Sequence, residues 1–116
     1  MNFDEAVSAH QKWKTRLRIV IDGKSTEKLD PNIVCKDDQC DLGKWIHGDG
    51  GRTMGSKPEF GEVKITHADF HKVAAGVLRK ALAGDKAGAA TMLDGEFFHS
   101  SMKVIQAITK CKAVCK

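Results

Sequence analysis

Long hydrophobic segments are absent from this sequence of 116 residues. No stretch approaches the roughly 18 consecutive apolar residues of a transmembrane helix, so we predict no membrane insertion. The amino terminus also lacks the features of a secretory signal peptide. Acidic Asp4 and Glu5 stand where a signal peptide has cations, and no apolar region follows them. We therefore expect a cytoplasmic protein.

Cysteine is sparse, and charge of one sign never accumulates. Four cysteines are too few for a disulfide scaffold, and in a chain without an export signal we expect them to bind metal or to remain free thiols. The 19 Lys and Arg residues are interspersed with 15 Asp and Glu residues, giving a formal net charge of +4. Nucleic-acid binding needs clustered positive charge, so we predict no nucleic-acid partner.

Alternating apolar and polar residues, the pattern of a β-strand, are also missing, whereas apolar residues recur every three or four positions over long segments. The length is that of one domain, residues 1–116. We predict an all-α fold, an antiparallel four-helix-type bundle with a short extra helix that carries a cysteine ligand. The expected helices cover about residues 3–21, 31–35, 41–47, 63–83 and 86–112. The fourth begins at Val63, at Thr66 or as early as Pro58, and the glycine- and proline-containing stretch 52–61 is expected to be a loop.

Two histidines four residues apart, His67 and His71, are the most informative feature that is present. On a helix these positions lie one turn apart on the same face, so both imidazoles can reach one metal ion. A third histidine, His10, falls within the apolar stripe of the first helix. Any one of them is typical of a hydrogen-bonded core residue. Three buried imidazoles without partners would be costly, because each has two ring nitrogens to satisfy away from water.

Cys40 adds a ligand of a different kind. It precedes a short helix, whose backbone amides and dipole favour a thiolate. Zinc suits a mixed shell of nitrogen and sulfur, whereas magnesium and calcium do not. Four protein ligands leave no open position for the water that a hydrolytic zinc enzyme needs. We therefore predict a closed Zn²⁺ site, formed by His10, Cys40, His67 and His71, in a structural or sensory protein rather than an enzyme.

Three motifs carry these ligands: His10-Gln11-Lys12-Trp13, Cys40-Asp41-Leu42-Gly43-Lys44-Trp45 and His67-Ala68-Asp69-Phe70-His71. In order and spacing they resemble the chemoreceptor zinc-binding (CZB) domain family, whose pattern is His-x-x-aromatic, Cys-x-hydrophobic-Gly-x-aromatic and His-x-x-x-His. The resemblance covers nearly the whole chain. It implies a zinc-binding helical bundle with the four ligands named above. It also implies a bacterial cytoplasmic sensory role, often as a homodimer, attached to chemoreceptors or to diguanylate cyclases of cyclic-di-GMP signalling.

The resemblance leaves the setting of the domain open. The sequence has no receptor signalling helix and no cyclase motif, so we expect either a standalone protein or an excised domain. In both cases the metal would tie the first helix, the Cys40 helix and the His67 helix together, and the Cys40 helix is the piece expected to move if zinc leaves. A related hypothesis is redox sensing, in which oxidation of the Cys40 thiolate releases zinc.

Other residues are weaker candidates for the site. His47 is an alternate ligand at the end of the Cys40 helix, and His99 is expected at the surface. Cys35 lies five residues before Cys40, so these two could pair if the site were oxidised and emptied. Cys111 and Cys115 continue an apolar helix face, where cysteine behaves as a small hydrophobe. Trp13 and Trp45 are expected to pack near the ligands and exclude water.

Two rival functions come from other classes of protein. The first is a di-iron, oxygen-binding bundle of the haemerythrin kind, which uses histidines together with bridging carboxylates. Glu-x-x-His is absent here, Asp69 falls on a different helix face from the two histidines, and a thiolate argues against di-iron. The second is a helical interaction module whose histidines are only structural, which predicts no bound metal.

Overall fold

A computed structural model describes residues 3–24, 28–36 and 40–114, except for the side chains of Phe3, Ala6, Ala9, His10 and Asp41. No β-strand occurs in this part of the chain, which confirms the all-α class. None of its helices combines the length and the hydropathy that a membrane span requires. The helices are α1 (Phe3–Ile21), α2 (Pro31–Val34), α3 (Asp41–His47), α4 (Asp49–Met54), α5 (Pro58–Leu82), α6 (Lys86–Met92) and α7 (Phe98–Val114), with a π-helical turn (Leu93–Phe97) between the last two.

Two glycines in the left-handed conformation follow the ends of long helices. Gly23, at φ 72°, follows α1, and Gly84, at φ 86°, follows α5. An L side chain is strained at these angles, whereas glycine is not, so glycine is the usual residue just beyond a helix. These two positions confirm where the sequence predicted that the first and the central long helices would end.

The central element is α5, which packs most extensively against α7 and also contacts α1, α2 and α6. Its inward face carries nine buried residues, and seven of these are apolar. They pack against Leu17 of α1 and Val104 of α7 within one continuous hydrophobic core. The two buried residues of α5 that are not apolar are His67 and His71. The core therefore brings two imidazoles inside the molecule on the element with the most neighbours.

The stretch 52–61, which the sequence predicts to be a loop, is largely helical, so this prediction was wrong. α4 runs over Asp49–Met54, where Gly50 is buried so closely against Trp45 that an added Cβ would lie 2.9 Å from the indole ring. Pro58 is the first residue of α5 rather than a break, since its missing N–H has no helical partner at that position anyway. Thr66 consequently lies inside α5, where its hydroxyl donates to the Glu62 carbonyl at 2.8 Å.

The last helix is not uniform, which corrects the expectation of one continuous α-helix over residues 86–112. Five residues, Leu93–Phe97, form a π-helical turn that widens the helix and shifts the register between α6 and α7. Leu93 and Phe97 are both buried, and the ring of Phe97 lies 5.0 Å from that of Phe70 on α5. Both side chains of this turn therefore belong to the hydrophobic core.

Candidate metal centre

Three potential metal-binding atoms from three motif positions converge at one point between α3 and α5. Cys40 Sγ lies 3.3 Å from His67 Nε2 and 3.3 Å from His71 Nε2. The two imidazole Nε2 atoms are 3.0 Å apart. Both histidines are 1% exposed, and Cys40 is half-buried. Among the described residues, these three form the group that could hold a metal ion.

The spacing of these atoms fits the edges of a zinc tetrahedron. With Zn–N bonds near 2.0–2.1 Å and a Zn–S bond near 2.3 Å, the edges are about 3.3 Å between nitrogens and about 3.5 Å between sulfur and nitrogen. The observed separations are shorter than these by only a few tenths of an ångström, a change that small side-chain rotations supply. One sulfur and two imidazole nitrogens also form a donor set that zinc accepts and that the hard cations do not.

The tautomer of His71 follows from its second nitrogen. His71 Nδ1 lies 2.8 Å from the backbone carbonyl oxygen of Val34, which only accepts hydrogen bonds. The hydrogen of a neutral imidazole is therefore assigned to Nδ1, and Nε2 presents a lone pair toward Cys40 and His67. A carbonyl in this position is the usual outer partner of a metal-binding histidine, because it fixes the orientation of the ring.

Cys40 is the N-cap of α3, as the sequence predicts for a thiolate. Its backbone is extended, and Sγ accepts a hydrogen bond from the backbone N–H of Gly43 at 3.3 Å. A donated hydrogen bond and the positive end of a helix both favour the deprotonated sulfur, which is the form that binds metal. The local sequence thus places the sulfur at the end of α3 and favours the thiolate form that a ligand needs.

Aromatic rings surround the imidazole of His71. The ring of Trp13, on α1, contacts it edge-on with centroids 5.7 Å apart, and Phe70 does so at 5.5 Å. Trp13 is only 8% exposed, which confirms its predicted place in the core next to the ligands. Trp45 is half-buried, and its ring packs against that of Phe60 with 5.9 Å between centroids.

A cavity of about 440 Å³ opens onto the three ligand atoms. Its wall is formed by α1 through Trp13 and Arg16 and by α2 with its flanking residues, and Cys40, His67 and His71 line its inner end. The guanidinium of Arg16 lies over the Trp13 ring, 4.1 Å from its centroid. The half-buried Cys40 therefore borders this cavity.

The remaining candidates from the sequence either lie outside the described residues or are described and do not join this cluster. The side chain of His10 lies outside the described residues, as does Cys115. His47 and His99 are exposed, as expected for His99, and neither joins the group of potential ligands. Cys35 is a free thiol whose sulfur lies 3.3 Å from the Asn32 carbonyl. Cys111 is fully buried in the hydrophobic core, which confirms its predicted role as a small hydrophobe.

No carboxylate belongs to the cluster within the described part of the chain. Asp69, the acid between the two histidines, is exposed, and one of its carboxylate oxygens accepts a hydrogen bond from the Ser100 hydroxyl at 3.2 Å. It thus lies on a different face of α5 from His67 and His71, as the sequence predicts. A di-iron centre needs bridging carboxylates, so this donor set favours zinc over the haemerythrin-like alternative.

One contributor to the site has no sequence signal of its own. Val34 takes part through its backbone carbonyl oxygen, a group that every residue has. Only the position of this carbonyl makes it special. The Asp30-Pro31 pair does predict a short helix ending near Val34. That the end of this helix meets His71, 37 positions further along the chain, is a fact of tertiary packing.

Comparison with known proteins gives one family. The family model described as "Chemoreceptor zinc-binding domain" matches residues 10–78, which is more than half of the chain. The matched range spans the three sequence motifs and all of the converging ligand atoms. Searches of curated proteins and of solved structures give no significant match. The match of the family model confirms the family resemblance that the three motifs carry.

Proposed function

We propose that this chain, which belongs to the chemoreceptor zinc-binding domain family, is a zinc-binding sensory domain with the ligands His10, Cys40, His67 and His71. The observation that carries the proposal is the convergence of Cys40 Sγ and two Nε2 atoms within 3.0–3.3 Å of one another. The neutral tautomer of His71 supports it further, because Nε2 is left with a lone pair and no hydrogen.

His10 is the proposed fourth ligand. Position 10 lies on α1 three residues before Trp13, and residues three apart share a helix face. Trp13 contacts the ring of His71, so this face of α1 is turned toward the cluster. A fourth protein ligand would close the shell, which is the arrangement of structural rather than catalytic zinc sites. We therefore propose a regulatory domain and not an enzyme.

When bound, zinc supplies a crosslink among elements that are distant in the chain. Cys40 brings the amino-terminal end of α3, His67 and His71 bring the middle of α5, and His10 brings α1. The ligands must be deprotonated and brought together before they bind zinc. Part of the free energy of zinc binding therefore goes into ordering the segments that carry them. The protein's own contribution is to hold His71 by the Val34 carbonyl, to hold the Cys40 sulfur by the Gly43 amide, and to exclude water with Trp13 and Phe70.

The biological setting follows from the family and remains a proposal. We propose that residues 1–116 form one cytoplasmic domain, with its long helices arranged as an antiparallel four-helix-type bundle. We further propose that it forms a homodimer and reports zinc occupancy to an output domain or a partner protein in chemotaxis or cyclic-di-GMP signalling. The family description, which names a chemoreceptor domain, supports the sensory role.

Metal content tests the proposal directly. We expect one zinc and no iron per chain in the protein purified without added metal, measured by inductively coupled plasma mass spectrometry. Cys40→Ala should lose the zinc, whereas Cys111→Ala, at a buried cysteine in the hydrophobic core, should keep it. Undiminished zinc in Cys40→Ala, or iron in the parent protein, would contradict the proposal.

Redox sensing is a second candidate for the signal, and the cavity that reaches Cys40 favours it. Hydrogen peroxide would transfer one oxygen to the thiolate as its O–O bond breaks, giving a sulfenic acid and hydroxide. A sulfenic acid is a poorer metal ligand, so zinc should appear in solution in step with sulfenylation of Cys40. A metal-binding dye and mass spectrometry would follow the two events together. Retention of zinc by the protein with oxidised Cys40 would rule this signal out.

A further inference from the structure

We propose that α2 positions the metal centre and that Asp30, which caps α2, is a positioning residue for zinc affinity. The inference rests on the proposed function, because it takes His71 as a zinc ligand. Three contacts connect Asp30 to the metal centre. The Asp30 side chain orders α2, the end of α2 presents the Val34 carbonyl, and that carbonyl orients His71.

Asp30 organises the beginning of α2 with both side chain and backbone. Its Oδ1 accepts a hydrogen bond from the Asn32 amide at 2.9 Å, and its carbonyl accepts from the Ile33 and Val34 amides at 2.9 Å each. Pro31 occupies the first helical position, where its fixed φ matches the helix. A helix of four residues has no stability of its own in water, so α2 depends on its cap and on tertiary packing.

The other end of α2 meets the metal centre. The last carbonyls of a helix have no partner within the helix, so the Val34 oxygen is available to another donor. His71 Nδ1 lies 2.8 Å from it, and the buried Val34 side chain packs into the hydrophobic core beneath. Because the cap and this carbonyl are only four residues apart, disorder at Asp30 reaches Val34 directly.

A loosened α2 should weaken zinc binding without removing a ligand. Without the carbonyl, the His71 ring turns more freely and the tautomer with hydrogen on Nε2 becomes accessible, and that tautomer has no lone pair there for zinc. Loss of such an outer hydrogen-bond partner typically costs about 10- to 100-fold in metal affinity. Since Asp30 acts through α2, we expect Asp30→Ala to weaken zinc binding by about tenfold, at the lower end of that range.

Three variants test the inference, with zinc affinity measured by competition against a chromophoric chelator. Asp30→Ala should weaken binding by about tenfold, whereas Asp30→Asn should bind nearly as tightly as the parent, because asparagine is an equally good N-cap. The matched control is Asp85→Ala. Asp85 caps the seven-residue α6, its Oδ1 accepting from the Gly88 amide at 2.9 Å, and it lies outside the metal centre. This control should lose some thermal stability but no zinc affinity.

Asp30→Asn also separates capping from charge. Asp30 lines the cavity that opens onto Cys40, so its negative charge could attract zinc through space. If charge were the cause, Asp30→Asn would bind as weakly as Asp30→Ala, and the inference would be overturned. Unchanged affinity in Asp30→Ala would overturn it as well.

A spectroscopic measurement checks the step through His71. The His71 Nδ1–H proton, detected by NMR in the zinc-loaded protein, should exchange with solvent faster in Asp30→Ala than in the parent or in Asp85→Ala. Equal exchange in all three would contradict the inference. Failure of the proposed function looks different, because His71→Ala and Cys40→Ala would then keep the affinity of the parent protein for zinc.

Discussion

The two ring nitrogens of His71 have different partners. Nδ1 is held by the Val34 carbonyl at 2.8 Å, and Nε2 lies within 3.3 Å of both Cys40 Sγ and His67 Nε2. The aromatic rings of Trp13 and Phe70 limit its rotation. This side chain is therefore oriented by the protein through Nδ1 and faces the other two candidate ligands through Nε2.

Replacing His71 should remove most of the zinc affinity. Loss of a hydrogen-bond partner of a ligand weakens metal binding by up to about 100-fold. We expect His71→Ala to weaken zinc binding by more than this, because the variant loses a ligand itself. His99→Ala is the matched control, because His99 is exposed and lies outside the cluster. Competition with a chromophoric chelator measures both. Parent-like affinity in His71→Ala would show that the histidine is only structural.

Phe70 joins the metal centre to the hydrophobic core. It is fully buried, and its ring lies 5.5 Å from that of His71 and 5.0 Å from that of Phe97. We expect Phe70→Ala to lower the free energy of unfolding by about 3–5 kcal/mol, through lost burial and the cavity left behind. Phe98→Ala, at a residue 46% exposed, should cost well under half of that. Urea denaturation compares the two variants, and equal losses would contradict the assigned packing.

Most residues of the candidate site could be predicted from the sequence, and those that could not have a physical reason in common. The spacing of His67 and His71, and the place of Cys40 before a short helix, are local patterns with direct geometric meaning. The contact between Val34 and His71 is not a local pattern, because the two residues are 37 positions apart. It also involves a backbone carbonyl, which every residue has.

At the scale of elements, helix ends marked by capping residues were predictable, and those set by packing were not. Asp30-Pro31 and Gly84 mark ends that the structure confirms. Residues 49–54 form a helix despite two glycines, because Gly50 allows the backbone to approach the Trp45 ring. The π-helical turn before α7, in which Phe97 packs against Phe70, is not indicated by a simple periodicity of three and four.

The two short helices next to the ligands should respond most to zinc. α2 and α3 have four and seven residues, too few to be stable as isolated helices. We expect zinc to slow amide hydrogen exchange in residues 31–35 and 41–47 more than in α7, as measured by mass spectrometry. Cys40→Ala with zinc should show no such change. Uniform protection along the chain would contradict a local ordering of these helices.

At the scale of the whole molecule, α5 contributes more buried apolar residues to the described core than any other helix, while the proposed ligands come from three separate segments. Zinc bound to the folded chain and not to the unfolded chain stabilises by mass action. At free zinc 1,000 times the dissociation constant the gain is about 4 kcal/mol. Apolar residues on α1, α5 and α7 pack directly against one another, so we expect the zinc-free protein to remain folded.

Thermal unfolding measures this gain. For a chain of this size, about 4 kcal/mol corresponds to a rise in Tm of about 15 °C. The Cys40→Ala variant should show little or none of the rise, and magnesium should not replace zinc, because it prefers oxygen ligands. Differential scanning calorimetry with and without each metal provides the values. An equal rise in the parent and in Cys40→Ala would mean that zinc binds elsewhere.

X-ray absorption at the zinc edge measures the proposed shell of one sulfur and three imidazole nitrogens around the ion. The spectrum of the zinc-loaded protein should fit one sulfur at about 2.3 Å and three nitrogens at about 2.0–2.1 Å, with no water in the shell. In His10→Ala, one nitrogen should be replaced by a water oxygen. A parent spectrum without sulfur, or with two sulfurs, would contradict the account.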